Sequence, residues 1–371
     1  MVKPNILMIS QVFPPDPASV GQHLSDVADE LARRGSRIVV LTADRGYNDP
    51  SQRYERRQTI GDVSVVRFRF SSFGKRTLLH RVVSGVAFSA QALLHGLFAP
   101  RLRVVVATTV PPMAGIVGAV ISIVKRVPLI YWVMDLNPDQ VVALGKLSPS
   151  STFVRLLRWA NRIVFARASD VVVLDRFMRD RVRQYDSGRC SIHVVPPWPL
   201  DEVVARLPHA ENPFRAAHQL TGQFVVMYSG NLGLHALDTL LDAAAELEHD
   251  ADLLFLFVGG GVAKEAIERR GLQNVKTLPY QPRSALRESL SAADLHIVAL
   301  GNEAVGINHP CKIYGAMAVG RPIVYLGPKE SHIGDILAEQ DIGWQVDHGD
   351  VAGLKAAIAE ARRLSLSLIH I

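Results

Sequence analysis

Between residues 224 and 326 the chain reads Met227-Tyr228-Ser229-Gly230-Asn231, then Phe257-Val258-Gly259-Gly260-Gly261, then Asn308-His309-Pro310-Cys311-Lys312-Ile313-Tyr314-Gly315-Ala316-Met317-Ala318-Val319-Gly320-Arg321-Pro322. Each segment sits where a short β-branched run hands over to a helical pattern. In a parallel α/β sheet that junction lies outside the carboxyl ends of the strands, where such sheets hold ligands. Glycines let a bulky anion approach the backbone, helix N-termini offer free N–H groups, and Lys312 adds a full positive charge. These residue types in this order describe a nucleotide-diphosphate site.

Outward from that stretch the same alternation continues. Strand-like runs at 224–228, 253–258, 275–278, 295–300 and 323–326 are separated by helical patterns, which predicts βαβ units and a parallel sheet. The first half repeats the scheme. Asn5 to Ser10 reads as a strand, Val20, Leu24, Val27, Ala28, Leu31 and Ala32 recur at helical spacing, and Gly35 stops the helix. Further strands are predicted at 37–42, 104–107, 129–132, 171–174 and 192–195. Pro196-Pro197-Trp198-Pro199 closes this half, and the polar stretch 201–222 reads as a linker. The expected organisation is therefore α/β with two doubly wound sheets facing across a cleft. Residues 1–200 form one domain, 223–363 the other, and 364–371 an atypical tail. That tail alternates Leu and Ser, so the last helix is expected to stop near Arg363. A truncated reading frame is the expectation, with apolar surface left open near Leu354, Ile358 and Ala361.

A length of 371 residues suits two domains, and 48% apolar with 20% charged residues suits a globular chain. Cys190 and Cys311 stand far apart without metal-type spacing, which fits a reducing compartment. The apolar start is too short for a signal-peptide core, and no 18-residue uncharged run suggests a span. A cytoplasmic chain is expected, with the inner face of the cell membrane open as a peripheral station. Residues 111–124 read as a buried helix. Residues 78–98 read either as a core helix or as a helix lying on a membrane surface. Charge is split: residues 1–200 carry 27 Lys and Arg against 14 Asp and Glu, whereas the rest carry 14 against 21. A basic half of this kind suits polyanionic material such as anionic headgroups or a lipid diphosphate. Nucleic acid is disfavoured, because no stacking aromatics interleave the cations.

In order and spacing the motifs resemble the family-4 retaining glycosyltransferases of the GT-B fold, in the branch related to colanic-acid and O-antigen transferases, where Ser-Gly-Asn is usual. The resemblance covers about residues 4 to 360. It implies two Rossmann-like domains and a hexosyl transfer from a nucleotide-diphosphate sugar, with UDP-sugars favoured. The acceptor would be lipid-linked or saccharide, no cofactor beyond the donor is needed, and no metal is implied. The donor would meet Gly21, Ser229, Gly230, Asn231, Gly259, Gly260, Tyr280, Asn308, Pro310, Lys312 and Ile313. Gln22, Asp135 and Asp139 would lie on the acceptor side, and Asp135 and Lys312 would carry catalysis.

Departures from the family are as informative. Met134 stands where a histidine is common, so Asp135 is left to position the acceptor, while Asp139 is also a good cap for the next helix. The broad family's arginine near Asn231 and lysine near His235 are missing, which makes Lys312 the candidate diphosphate cation. A glutamate pair usual in the family is replaced here by Asn308 and Gly315. Gly259-Gly260-Gly261 fails as a dinucleotide fingerprint because Lys264 stands where the third glycine belongs. A nucleotide-sugar 2-epimerase of the same architecture and a non-enzymatic peripheral membrane module are the alternatives.

Overall fold

A computed structural model describes residues 5–47, 49–71, 78–185, 188–199, 205–220, 222–232 and 237–369. The chain divides into two compact units. One comprises residues up to Pro196 together with Gly306–His309; the other comprises Pro197–Val305 and Pro310 onward.

The first unit runs β1 (Asn5–Ile9), α1 (Ser19–Arg33), β2 (Arg37–Ala43), β3 (Arg57–Ile60), β4 (Val63–Phe68), α2 (Leu78–Phe98), β5 (Leu102–Thr108), α3 (Ala114–Lys125), β6 (Leu129–Trp132), α4 (Asp139–Ala143), α5 (Thr152–Arg167), β7 (Asp170–Val173), α6 (Arg176–Arg183) and β8 (Ser191–Val194). Its strands form one sheet in the order β3-β4-β2-β1-β5-β6-β7-β8. All neighbours are parallel except β3 and β4, a hairpin that closes one edge. The central strands are apolar on both faces because helices cover both faces, and Leu7, Met8 and Ile9 are wholly buried. Helix α1 buries Val20, Leu24, Ala28 and Ala32 in one stripe, and Gly35 beyond it takes a positive φ of 90°. Helix α5 begins where the Ser151 hydroxyl accepts from the Val154 amide at 3.2 Å. Gly115 and Gly118 of α3 lie against Tyr131, Leu129 and Ala107, where a larger side chain would lift the helix off the sheet.

The second unit runs α7 (Pro213–Ala217), β9 (Phe224–Asn231), α8 (Asp238–Glu246), β10 (Leu253–Gly260), α9 (Lys264–Arg269), β11 (Val275–Leu278), α10 (Leu286–Ser291), β12 (Leu295–Ala299), α11 (Lys312–Ala318), β13 (Ile323–Leu326), α12 (His332–Glu339), β14 (Gly343–Val346) and α13 (Val351–Ile369). Its wholly parallel sheet has the order β11-β10-β9-β12-β13-β14. The order reverses between β9 and β12, the switch point at which doubly wound sheets bind ligands.

Four expectations from sequence are corrected. The stretch expected as a linker is partly folded: α7 lies in it, and Phe214 and Leu220 are buried in the second unit's core. Its positions 201–204 and 221 lie outside the described residues. The final helix does not stop at Arg363 but continues to Ile369, since Leu and Ser both tolerate helical backbone and no glycine or proline interrupts them. Leu354, Ile358 and Ala361 are not exposed either, because they pack against α8 and the sheet as part of the core. The last two residues of the expected tail, 370 and 371, lie outside the described residues. Finally, 111–124 is only half buried: α3 covers the sheet with one face while Val120, Ile123 and Val124 remain exposed.

Candidate functional site

In the second unit the sheet itself builds the site. Strands β9 and β10 stay paired past the sheet's edge, with Gly230 opposite Gly259 and Asn231 opposite Gly260. Gly230, Gly259 and Gly261 take φ values of 127°, 147° and 147°, a region open in practice to glycine. A Cβ at Gly259 would collide with the Gly230 carbonyl oxygen, and one at Gly261 with that of Leu232. These glycines therefore allow two strand tips to touch as well as leaving backbone open to a ligand. Tyr280 closes this side: its ring lies over Gly260, and its hydroxyl donates to the Gly260 carbonyl at 3.2 Å.

Lys312 is the first residue of α11, and its ammonium sits 3.5 Å from the centroid of the Tyr228 ring, beside Gly230. The residue is half-buried, with its ammonium set over the ring and beside the Gly230 backbone, where it has lost part of its water. That loss of water pushes its pKa down to about 7, with Cys311 acting weakly the other way. Among the described residues no carboxylate pairs with it. The face of the ring supplies a partial substitute for water. Tyr228 is buried, and its hydroxyl donates to the Asn231 carbonyl at 3.2 Å, so the platform is fixed at both ends. Ser229, Gly230 and Asn231 are all partly exposed beside this pair. Pro310 is buried, and the Ile313 side chain is fully buried in the core and anchors α11, leaving only its backbone at the helix start to face a ligand. Positions 233–236, which include His235, lie outside the described residues.

In the first unit a second cluster forms around Asp135. The Thr109 hydroxyl accepts from the Met134 and Asp135 amides at 3.3 and 3.2 Å, which sets the loop after β6. Residues Gly306–His309, which belong to this unit, run antiparallel to that loop. The Asn308 amide donates to Asp135 at 2.8 Å, and the Leu136 amide donates to the Ile307 carbonyl at 2.9 Å. Asn308, grouped from sequence with the donor residues, is thus hydrogen-bonded to Asp135 within the first unit. His309 Nδ1 meets the Asp175 carboxylate at 2.8 Å, both buried, while the other Asp175 oxygen accepts from the Met178 amide and caps α6. Asp139 opens α4, pairs with Arg158 at 2.8 Å and accepts from the Tyr185 hydroxyl at 2.5 Å. Its carboxylate is therefore committed to structure.

Gly21 is buried, and its Cα lies so close to Val12 and Phe13 that a Cβ would sit 3.0 Å from their backbone. It brings α1 tight against the Phe13-Pro14-Pro15 loop. Gln22 donates to the Pro17 carbonyl at 3.1 Å, and His23 is packed inside. Arg67, which the sequence did not flag, is buried and holds this loop by donating to the Pro14 carbonyl at 2.7 Å. Tyr228, Thr109, Asp175 and His309 were missed as well. Of these only Asp175 carried a sequence signal, an Asp between a strand and a helix-forming run.

Two doubly wound sheets, the second with glycine-lined strand tips, define a class, and comparison with known proteins agrees. Residues 19–198 match the family Glycosyl transferase 4-like domain, and residues 223–363 match Glycosyl transferases group 1. The chain is a glycosyltransferase of the GT-B fold. Among particular proteins it is similar to WbjE of Pseudomonas aeruginosa, named as a probable glycosyltransferase, with 28% identity over 98% of this chain and 90% of that one. It is also similar to WcaI of Escherichia coli (strain K12), named for a colanic acid biosynthesis glycosyl transferase, with 23% identity over 96% of this chain and 91% of that one. The fold matches that of HepE from Anabaena, solved in complex with UDP-glucose, with a TM-score of 0.69 and 20% identity over 98% and 90% of the two chains. Sucrose-phosphate synthase from Thermosynechococcus elongatus shares it with a TM-score of 0.72 and 15% identity over 96% and 89%.

Proposed function

We propose that the chain transfers a hexose, with retention, from a nucleotide-diphosphate sugar onto a lipid-linked or saccharide acceptor in bacterial surface-polysaccharide assembly. UDP-sugars are the favoured donors, and the work is done in the cytoplasm at the inner face of the membrane. The observation that carries this reading is the Lys312 ammonium. It is half-buried and unpaired by any described carboxylate, at a sheet's switch point, where an anionic ligand would make good the water that the Tyr228 ring replaces only in part. The colanic-acid name of WcaI supports the polysaccharide setting, and the UDP-glucose bound to HepE supports the donor class.

In this reading the sugar leaves a diphosphate on which negative charge grows as the glycosidic bond breaks. Lys312 meets that charge from a half-buried position fixed over the Tyr228 ring, where a cation is worth more than in bulk water. Ser229, Gly230 and Asn231 offer backbone and side-chain donors to the same phosphates, and Tyr280 borders the nucleotide. Asp135, oriented by Asn308 and by the amides bound to Thr109, positions the acceptor hydroxyl. Isothermal titration with UDP, UDP-sugars and GDP tests the donor half. Lys312→Ala should weaken UDP binding by about 1.5 to 3 kcal/mol, the worth of one charge-assisted contact, while still melting in one cooperative transition. Equal affinity in the variant would remove Lys312 from the site. Full conversion of a UDP-sugar without any acceptor would replace transfer by epimerisation.

A further inference from the structure

We propose that the face built by α2, α3 and α5 of the first unit is a docking surface for an anionic lipid bilayer. This specifies the membrane contact named above and rests on residues that take no part in donor binding.

The chain steps from β4 to β5, β5 to β6 and β6 to β7 in one direction across the sheet. Right-handed crossovers then put all three connecting helices on the same face. They touch in sequence: Gly96 of α2 lies against Ile121 of α3, and Gly115 of α3 against Val164 of α5. Their outer sides should be polar if they face only water, and they are not. Val83, Val86 and Leu94 recur at helical spacing along the outer side of α2, which ends in Phe98, 83% exposed. Ile123 and Val124 on α3, and Leu156, Trp159 and Ile163 on α5, continue the apolar stripe, with Val124 at 59% and Trp159 at 58%. An apolar surface spread over three neighbouring helices marks a place of contact.

Charge says what makes that contact. None of the three helices contains an Asp or a Glu. Arg155 and Arg162 are exposed on α5, Lys125 ends α3 and Arg126 follows it. Among the described residues no carboxylate pairs with any of these four. Apolar side chains set among unpaired cations fit a layer whose surface is negative and whose interior is hydrocarbon. Trp159 has the amphipathic ring that such interfaces favour. No helix among the described residues is long and apolar enough to cross a membrane, so the surface would lie on the bilayer. A second copy of the chain fits less well, because a self-complementary contact would oppose Arg155 and Arg162 to their own likes.

The test uses the intact chain and vesicles of phosphatidylglycerol with phosphatidylethanolamine, against vesicles of phosphatidylcholine alone, in a co-sedimentation assay without nucleotide. Binding to the anionic vesicles alone is expected, with a blue shift in tryptophan emission, and it should fade as salt shortens the Debye length towards about 3 Å at 1 M. Leu156→Glu with Trp159→Glu, and separately Arg155→Glu with Arg162→Glu, should each lower vesicle affinity by about tenfold or more. Both pairs are exposed, and unchanged UDP binding and melting would show that fold and donor site are intact. Wild-type protein that ignores anionic vesicles, or variants that bind them like wild type, would overturn the proposal. So would a dimer that Trp159→Glu dissolves, seen together with no vesicle binding.

Discussion

Lys312 places two opposing demands on one ammonium group. Its pKa of about 7 in the folded chain compares with roughly 10.4 for an exposed lysine. Between those values the unfolded chain binds more protons than the folded one, so stability rises with pH across that window. Below pH 7 both states carry the charge, and the folded state bears the whole cost of enclosing it. Lys312→Met should therefore be more stable than wild type near pH 6, in urea titrations followed by circular dichroism. The gap should narrow as pH approaches 10. Donor binding reverses the sign, because a diphosphate restores the charge. Calorimetry near pH 8 in buffers of different ionisation enthalpy should show uptake of up to about one proton per UDP bound, and affinity should fall as pH rises further. No buffer dependence would mean that the lysine does not face the phosphates. The sequence made Lys312 a candidate by its motif, yet its platform was not legible. Tyr228 is one strand aromatic among several until the fold sets α11 against it.

Elements explain why some motif residues cannot vary. Gly259→Ala would force the strand tip of β10 away from β9, against both a positive φ and a carbonyl in the way. It should cost about 3 kcal/mol in denaturant titration and abolish UDP binding, whereas an alanine at Gly301, which meets open space, should cost well under 1 kcal/mol. The glycines singled out from sequence do lie together at these strand tips, and part of their purpose is strand packing. Asp175 holds a helix cap and His309 at once. Asp175→Ala should destabilise the first unit by about 2 kcal/mol or more, since a cap is lost and a buried imidazole loses its partner. Fragment-resolved hydrogen exchange would detect faster opening at residues 176–183 and 306–309. Asp139 shows the limit of reading carboxylates by position: a residue after a strand can serve an acceptor, a helix or a tyrosine. Here Arg158 and Tyr185 take it.

At the scale of the whole molecule, the boundary between the units matters more than the polar composition around it. Phe214 and Leu220 close the core under β9 and β10, and Arg215 is buried against Asp294 while donating to three carbonyls. A fragment of residues 197–371 should fold cooperatively. One that starts at 223 should melt far earlier or not fold, because it opens the core and leaves Asp294 without its cation, a loss of about 3 to 5 kcal/mol for the charge alone. Equal melting curves for the two fragments would make 201–222 a spacer after all. The alternation of strand and helix periods determined the two doubly wound sheets, and glycine and lysine at strand ends marked the neighbourhood proposed for the donor. These are local signals, written in neighbouring residues by the steric limits of the backbone and the spacing of side chains. The tertiary structure alone decided that Asn308 joins Asp135, that Ile313 turns inward, that Leu354 and Ile358 are covered and that a polar stretch belongs to a core. Each of those outcomes depends on contacts between residues far apart in the chain, and burial, which no short window of sequence encodes, sets them.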